Sequence, residues 1–119
     1  MRQPVMKTIL TSLLLAWACA AWSGDAVWID VRTASEYAAG HVSQAVNIPY
    51  DEITERIGEV TGDKDELIYV YCRSGNRSGI AKVALAQAGF TRVVNLGSLE
   101  SARRAAARQA AAVDQAPKD

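Results

Sequence analysis

Tyr69-Val70-Tyr71-Cys72-Arg73-Ser74-Gly75-Asn76-Arg77-Ser78-Gly79 joins two contrasting patterns. Before it runs Leu67 to Tyr71, apolar and rich in β-branched and aromatic residues, which predicts a buried strand. After it runs a helical pattern from Ser78 to Ala88, closed by Gly89. The sequence therefore predicts that Cys72 lies on a loop between a strand end and a helix N-terminus. Backbone N–H groups of such a loop and first turn converge, and the helix dipole adds positive potential. Arg73 and Arg77 add two full charges. These terms favour thiolate over thiol, so the Cys72 pKa is expected to fall.

Outward from this stretch, strands and helices alternate. Val27 to Val31 reads as a first strand, and Thr33-Ala34-Ser35-Glu36 as a capping box opening a helix through Ala39. Gly40 is expected to end that helix in the left-handed conformation. Ala45 to Ile48 reads as the second strand, stopped by Pro49, and Asp51 and Glu52 open a helix with Ile53 and Ile57 on one face. Thr61 to Asp65 is a polar turn, and Thr91 to Asn95 the fourth strand. Such alternation predicts an α/β fold in three layers, a mostly parallel sheet of about four strands flanked by helices. Right-handed crossovers lead to the order 2-1-3-4. Ligands in such sheets bind beyond the carboxyl ends of the strands at the switch point, here between strands one and three. Asp30 and Cys72 both stand at those ends.

The first 23 residues have a different character. Arg2 and Lys7 precede an apolar run from Ile9 to Ala21, the layout of a secretory signal peptide and too short for a membrane span. Cleavage after Ala20 or after Ser23 fits, and either Met1 or Met6 serves as the start. An exported, periplasmic protein without stable membrane association after cleavage is the expectation. The whole chain of 119 residues balances 13 basic against 13 acidic residues. Without Arg2 and Lys7 the net charge is −2, which argues against a nucleic-acid partner. Of the two cysteines, Cys19 leaves with the signal peptide, so Cys72 remains without a disulfide partner. Residues 24–100 are expected to form the domain. Residues 101–119, rich in alanine and arginine, are expected to form a helix docked weakly through Leu99, fraying from Val113 into a disordered tail.

Asp30-Val31-Arg32, Glu36-Tyr37, Gly40-His41, Ala45 and Asn47-Ile48-Pro49, together with the Cys72 loop, resemble the signatures of rhodanese-like sulfurtransferases. Size and leader are most similar to the small exported single-domain members of that family. The resemblance covers about residues 27–97 and implies a rhodanese-like fold and thiosulfate:cyanide sulfurtransferase activity. Cys72 would take the outer sulfur of thiosulfate as a persulfide, release sulfite, and pass the sulfur to cyanide or another thiophilic acceptor. No cofactor or metal is implied. Arg73, Ser74, Gly75, Asn76, Arg77 and Ser78 would bind the anionic donor. Gly75 permits the tight loop, while Ser74, Asn76 and Ser78 either add side-chain donors or shape the turn.

Asp30, Arg32, Glu36 and His41 are expected to support the site, with Arg32 paired to Glu36, Asp30 orienting the loop, and the lone His41 in a hydrogen-bonded structural role. Trp28 is expected in the core. The mature chain starts almost at the Asp-Val-Arg motif and has one glycine, Gly97, where related chains often have two. A sheet edge left bare in this way makes weak self-association a hypothesis. Two other functions compete. Cysteine phosphatases place arginine six positions after the cysteine, whereas Arg77 stands five after Cys72. A non-enzymatic persulfide-carrying or docking module for an exported partner would use the alanine-arginine segment.

Overall fold

A computed structural model of the chain describes residues 26–115, with side chains through Val113. The expected signal peptide and the last four residues of the expected tail lie outside the described residues. Within them the order is β1 (Val27–Asp30), α1 (Ala34–Ala39), β2 (Val46–Asn47), α2 (Ile53–Arg56), β3 (Leu67–Cys72), α3 (Asn76–Gln87), β4 (Arg92–Ser98) and α4 (Leu99–Gln115). Short 3-10 turns, Tyr50–Glu52 and Ile57–Glu59, flank α2. All strand pairs are parallel and the sheet order is β2-β1-β3-β4, as expected.

Period-two alternation divides the core between the two sheet faces. On one face Ile29, Ile68, Val70, Cys72 and Val93 pack with Ile53, Ile57, Ala81 and Leu85 of the α2–α3 side. On the other, Trp28 and Tyr71 pack with Val42, Ala45, Ala102 and Ala105. Trp28 is thus core, as the sequence predicts. The C-terminal helix corrects the expectation of weak docking. Leu99 does pack, but Ala102 is completely buried and Ala105 nearly so. Small side chains are what let the helix lie close against Tyr71 and Trp28, so low side-chain volume is here compatible with tight seating. Gln109 adds a hydrogen bond from Nε2 to the Tyr69 hydroxyl, 3.0 Å. The helix continues through Val113 to Gln115 rather than fraying at Val113.

Four local features differ from the sequence expectations, three of them around the cysteine turn. Cys72 is the last residue of β3 rather than a loop residue, paired in register with Ser98. The strand β4 reaches Ser98 because Leu96 is accommodated as a bulge: Val70 opposes Asn95, and Tyr71 opposes Gly97. The helix α3 begins at Asn76, two residues before the expected Ser78, because Gly75 takes the left-handed conformation (φ 98°) and turns the chain straight into it. Gly40 does end α1, but at φ 154° and ψ 137° rather than in the left-handed helical region.

Candidate active site

The Cys72 sulfur lies at the closed end of a donor-lined turn. The Gly75 backbone N–H donates to Sγ at 2.9 Å, and the Ser78 hydroxyl lies 3.4 Å away. The N–H groups of Ser78 and Ser74 also face the sulfur. Burial pushes the thiol pKa up, but hydrogen bonds from the Ser78 hydroxyl and from these backbone groups outweigh it, and the net shift is downward. The early start of α3 explains the arrangement. Its first-turn N–H groups have no intrahelical acceptor and are free to face the sulfur. Cys72 itself has no exposed surface.

A tight approach of two glycines shapes this turn. A Cβ on Gly75 would stand 3.3 Å from Cα of Gly97, and both residues have positive φ. A residue that the sequence analysis did not single out, Asn95, ties the two glycines together. Its Nδ2 donates to the Gly75 carbonyl at 3.1 Å, and its Oδ1 accepts from Gly97 N at 2.9 Å and from Ser78 Oγ at 2.7 Å. An isolated glycine inside a strand pattern, here Gly97, signals a bulge, which was the available clue. The Ser78 hydroxyl has one proton and two acceptors, Asn95 Oδ1 and Cys72 Sγ. When that proton turns to the sulfur, Gly97 N–H still satisfies the amide oxygen, so stabilising the thiolate leaves no buried acceptor empty. Ser78→Ala is expected to slow alkylation of Cys72 at pH 7 about tenfold, since a hydrogen bond to a charged group is lost. The rate of iodoacetamide labelling across pH checks this, and an unchanged pH profile would contradict it.

The expected Arg32–Glu36 ion pair does not form. Arg32 instead grips the carboxylate of Asp30, with Nε at 3.0 Å from Oδ1 and Nη2 at 2.7 Å from Oδ2. Asp30 is completely buried and Arg32 nearly so. The two side chains project from one short segment at the end of β1, which puts the pair within reach without a second element. Arg32 Nη2 also donates to the Gly40 carbonyl at 2.6 Å, and Asn47 Nδ2 donates to the carbonyls of Asp30 and Arg32. This network ties the end of β1 to β2 and to the end of α1.

Glu36 is drawn to Arg77 instead. Arg77 Nη1 and Nη2 donate to its two carboxylate oxygens at 2.9 and 3.1 Å. The Arg77 fork and the Thr33 backbone N–H hold the Glu36 carboxyl down at about 2, below its usual 4.5. The capping box is therefore present, and its glutamate also anchors the cysteine turn to α1. Such a depressed carboxylate stabilises the fold above pH 4.5, and the contribution fades as pH falls toward 2. The pair is partly exposed and screened, so Glu36→Gln is expected to cost about 1 kcal/mol at pH 7 and nearly nothing at pH 2. Urea unfolding of both proteins across that range provides the check; a pH-independent difference would contradict it.

Of the other expected site residues, Arg73 is exposed at the rim and Asn76 is exposed, with neither side chain bonded to the sulfur. Ser74 contributes its backbone rather than its hydroxyl. His41 stands apart from the sulfur: its ring stacks on Tyr37 at 3.6 Å, and Nδ1 bonds the Tyr37 carbonyl at 2.8 Å.

Comparison with known proteins agrees with this geometry. The rhodanese-like domain family matches residues 18–105. The chain is 38% identical to the thiosulfate sulfurtransferase PspE of Escherichia coli (strain K12), over 81% of this chain and 91% of that protein. It is 40% identical to a sulfurtransferase of Allochromatium vinosum, over 60% of this chain and 65% of that protein. A solved rhodanese with anions from E. coli superposes with a TM-score of 0.63 at 43% identity, covering 65% of this chain and 91% of that one.

Proposed function

Since the chain belongs to the rhodanese-like domain family, whose relatives support sulfurtransferase activity, we propose that it is a thiosulfate sulfurtransferase working through Cys72. The observation that carries the proposal is the set of N–H and O–H donors around Sγ. The Cys72 thiolate attacks the outer sulfur of thiosulfate. A new S–S bond forms, the S–S bond of thiosulfate breaks, and its electron pair leaves on sulfite. The resulting persulfide carries its charge on the terminal sulfur, where donors of the turn and the dipole of α3 stabilise it. Attack by cyanide or a thiolate on that terminal sulfur returns the electron pair to Cys72 and regenerates the thiolate.

Within this reading the arginines divide the work. Arg73 is free to attract the dianionic donor. Arg77 is held by Glu36 and acts on the turn's geometry and field, close enough to Cys72 for mutual attraction. The proposal places the protein outside the cytoplasm, resting on the signal-peptide pattern of residues 1–23. Among the described residues no helix is long and apolar enough to cross a membrane.

The test is a stoichiometric burst. Reduced protein mixed with thiosulfate should release one equivalent of sulfite and gain the mass of one sulfur atom on Cys72. Cyanide added afterwards should remove that mass as thiocyanate. Folded, reduced protein that neither releases sulfite nor gains mass would refute the proposal.

A further inference from the structure

Beside the cysteine turn, and sharing Arg73 with it, lies a concavity that the attack on thiosulfate does not fill. It is an open depression of about 610 Å³ whose walls include Arg32, Glu36, Arg73, Ser98, Glu100 and Arg103. Three of these tie it to the turn: Arg73 follows Cys72, Ser98 is the register partner of Cys72, and Glu36 holds Arg77. Its volume is several times that of a small inorganic anion, so it has room for a larger organic molecule.

The charges around it do not cancel. Arg32 is matched by Asp30, Glu36 by Arg77, and Glu100 by Arg104 at 3.5 Å. Among the described residues, neither Arg73 nor Arg103 pairs with a carboxylate. Two guanidinium groups on opposite elements, the cysteine turn and α4, therefore face one depression with their charge uncompensated. Arg103 is also given its place by the backbone beneath it. A Cβ on Gly40 would stand 3.2 Å from Arg103 Nη2, so the absence of a side chain there lets the guanidinium lie over the end of α1. The α4 helix opens at Leu99 on the same wall, and its N-terminal dipole adds to the positive potential.

We propose that this depression is the acceptor site, and that Arg73 and Arg103 select a small thiol bearing carboxylates. The inference rests on the sulfur-transfer reading above and extends it to the second half-reaction. With its carboxylates on the two guanidiniums, the acceptor holds its thiolate toward the turn. That thiolate attacks the terminal sulfur of the Cys72 persulfide. A new S–S bond forms on the acceptor, the persulfide S–S bond breaks, and its electron pair stays on Cys72. The product is the acceptor's own persulfide, and no other reactant is consumed. Guanidinium forks suit carboxylates because they bind them in plane through paired hydrogen bonds.

The test compares a dicarboxylate thiol, mercaptosuccinate, with the uncharged 2-mercaptoethanol as acceptors. The ratio of kcat/KM for the first over the second is expected to fall about tenfold in Arg103→Glu. In Arg108→Glu, an equal change of charge on the same helix away from the depression, the ratio should stay within about twofold. An unchanged ratio in Arg103→Glu, an equal fall in Arg108→Glu, or a raised KM for thiosulfate in place of the fall would overturn the proposal. A binding measurement separates this from the parent reading. Succinate, which has no thiol, should shift the Arg73 and Arg103 side-chain N–H resonances of the wild type saturably, and lack of saturable shifts would overturn the site. Wild type that releases no sulfite from thiosulfate refutes sulfur transfer, while the succinate titration still decides whether the site exists.

Discussion

Cys72→Ser is expected to reduce sulfite release from thiosulfate by at least about a thousandfold. The donor set around the sulfur would survive the change, because Gly75 N–H and the Ser78 hydroxyl can serve an oxygen as well as a sulfur. What disappears is the anionic, polarisable nucleophile. A serine hydroxyl stays protonated in the same environment, and among the described residues no histidine or carboxylate contacts Sγ to take its proton. Thiosulfate should therefore still bind while transfer stops, so the loss appears in the single-turnover rate rather than in half-saturation. A variant retaining a tenth of the wild-type rate would mean that Cys72 is not the sulfur carrier. Thermal unfolding of the same variant guards against a folding defect, since a one-atom change at a buried, well-packed position should move stability only slightly.

The largest expected stability effect lies one strand away. Asp30→Ala is expected to lower the free energy of unfolding by about 3–5 kcal/mol, because it strands the guanidinium of Arg32 in a site nearly closed to water. Arg32 is only 6% exposed, and its other contacts, the Gly40 carbonyl at 2.6 Å and the face of Tyr71 at 5.9 Å, cannot neutralise it. Asp30→Asn keeps the shape and part of the hydrogen bonding and should fall between the two. Replacing both Asp30 and Arg32 with apolar residues should recover much of the loss, since the unpaired charge and not the missing pair is the main penalty. Urea denaturation of the three proteins measures the series. A cost below about 1 kcal/mol for Asp30→Ala would show that water reaches Arg32 freely.

The supports of the turn were less legible than the turn itself. Arg32 and Glu36 are four positions apart, and a carboxylate and a guanidinium at that spacing suggest a local pair. But Arg32 lies before α1 begins, where helical spacing does not apply, and its nearest carboxylate is that of Asp30. Glu36 was then free to cross to Arg77, 41 positions later in sequence. Asn95 was missed for the same reason: its three partners, Gly75, Ser78 and Gly97, converge only when β4 pairs with β3 and bulges at Leu96. The close seating of the α4 alanines is not legible in the sequence, because side-chain volume along a chain says nothing of how close a partner surface comes.

The sequence alone determined the features that depend on neighbours along the chain. These were the alternation of strands and helices, hence the parallel order 2-1-3-4, the capping box at Thr33, and a cysteine at the junction of a strand and a helix N-terminus. Periodicity, capping and turn chemistry act over a few residues and so are written locally. Only the tertiary structure decided which charges met. It buried Asp30 with Arg32, gave Glu36 to Arg77, and left Arg73 and Arg103 without a carboxylate partner among the described residues, on one depression. Coulombic and hydrogen-bond partners are chosen by distance and burial in space, and those are set only when distant strands pair and a helix closes over the sheet.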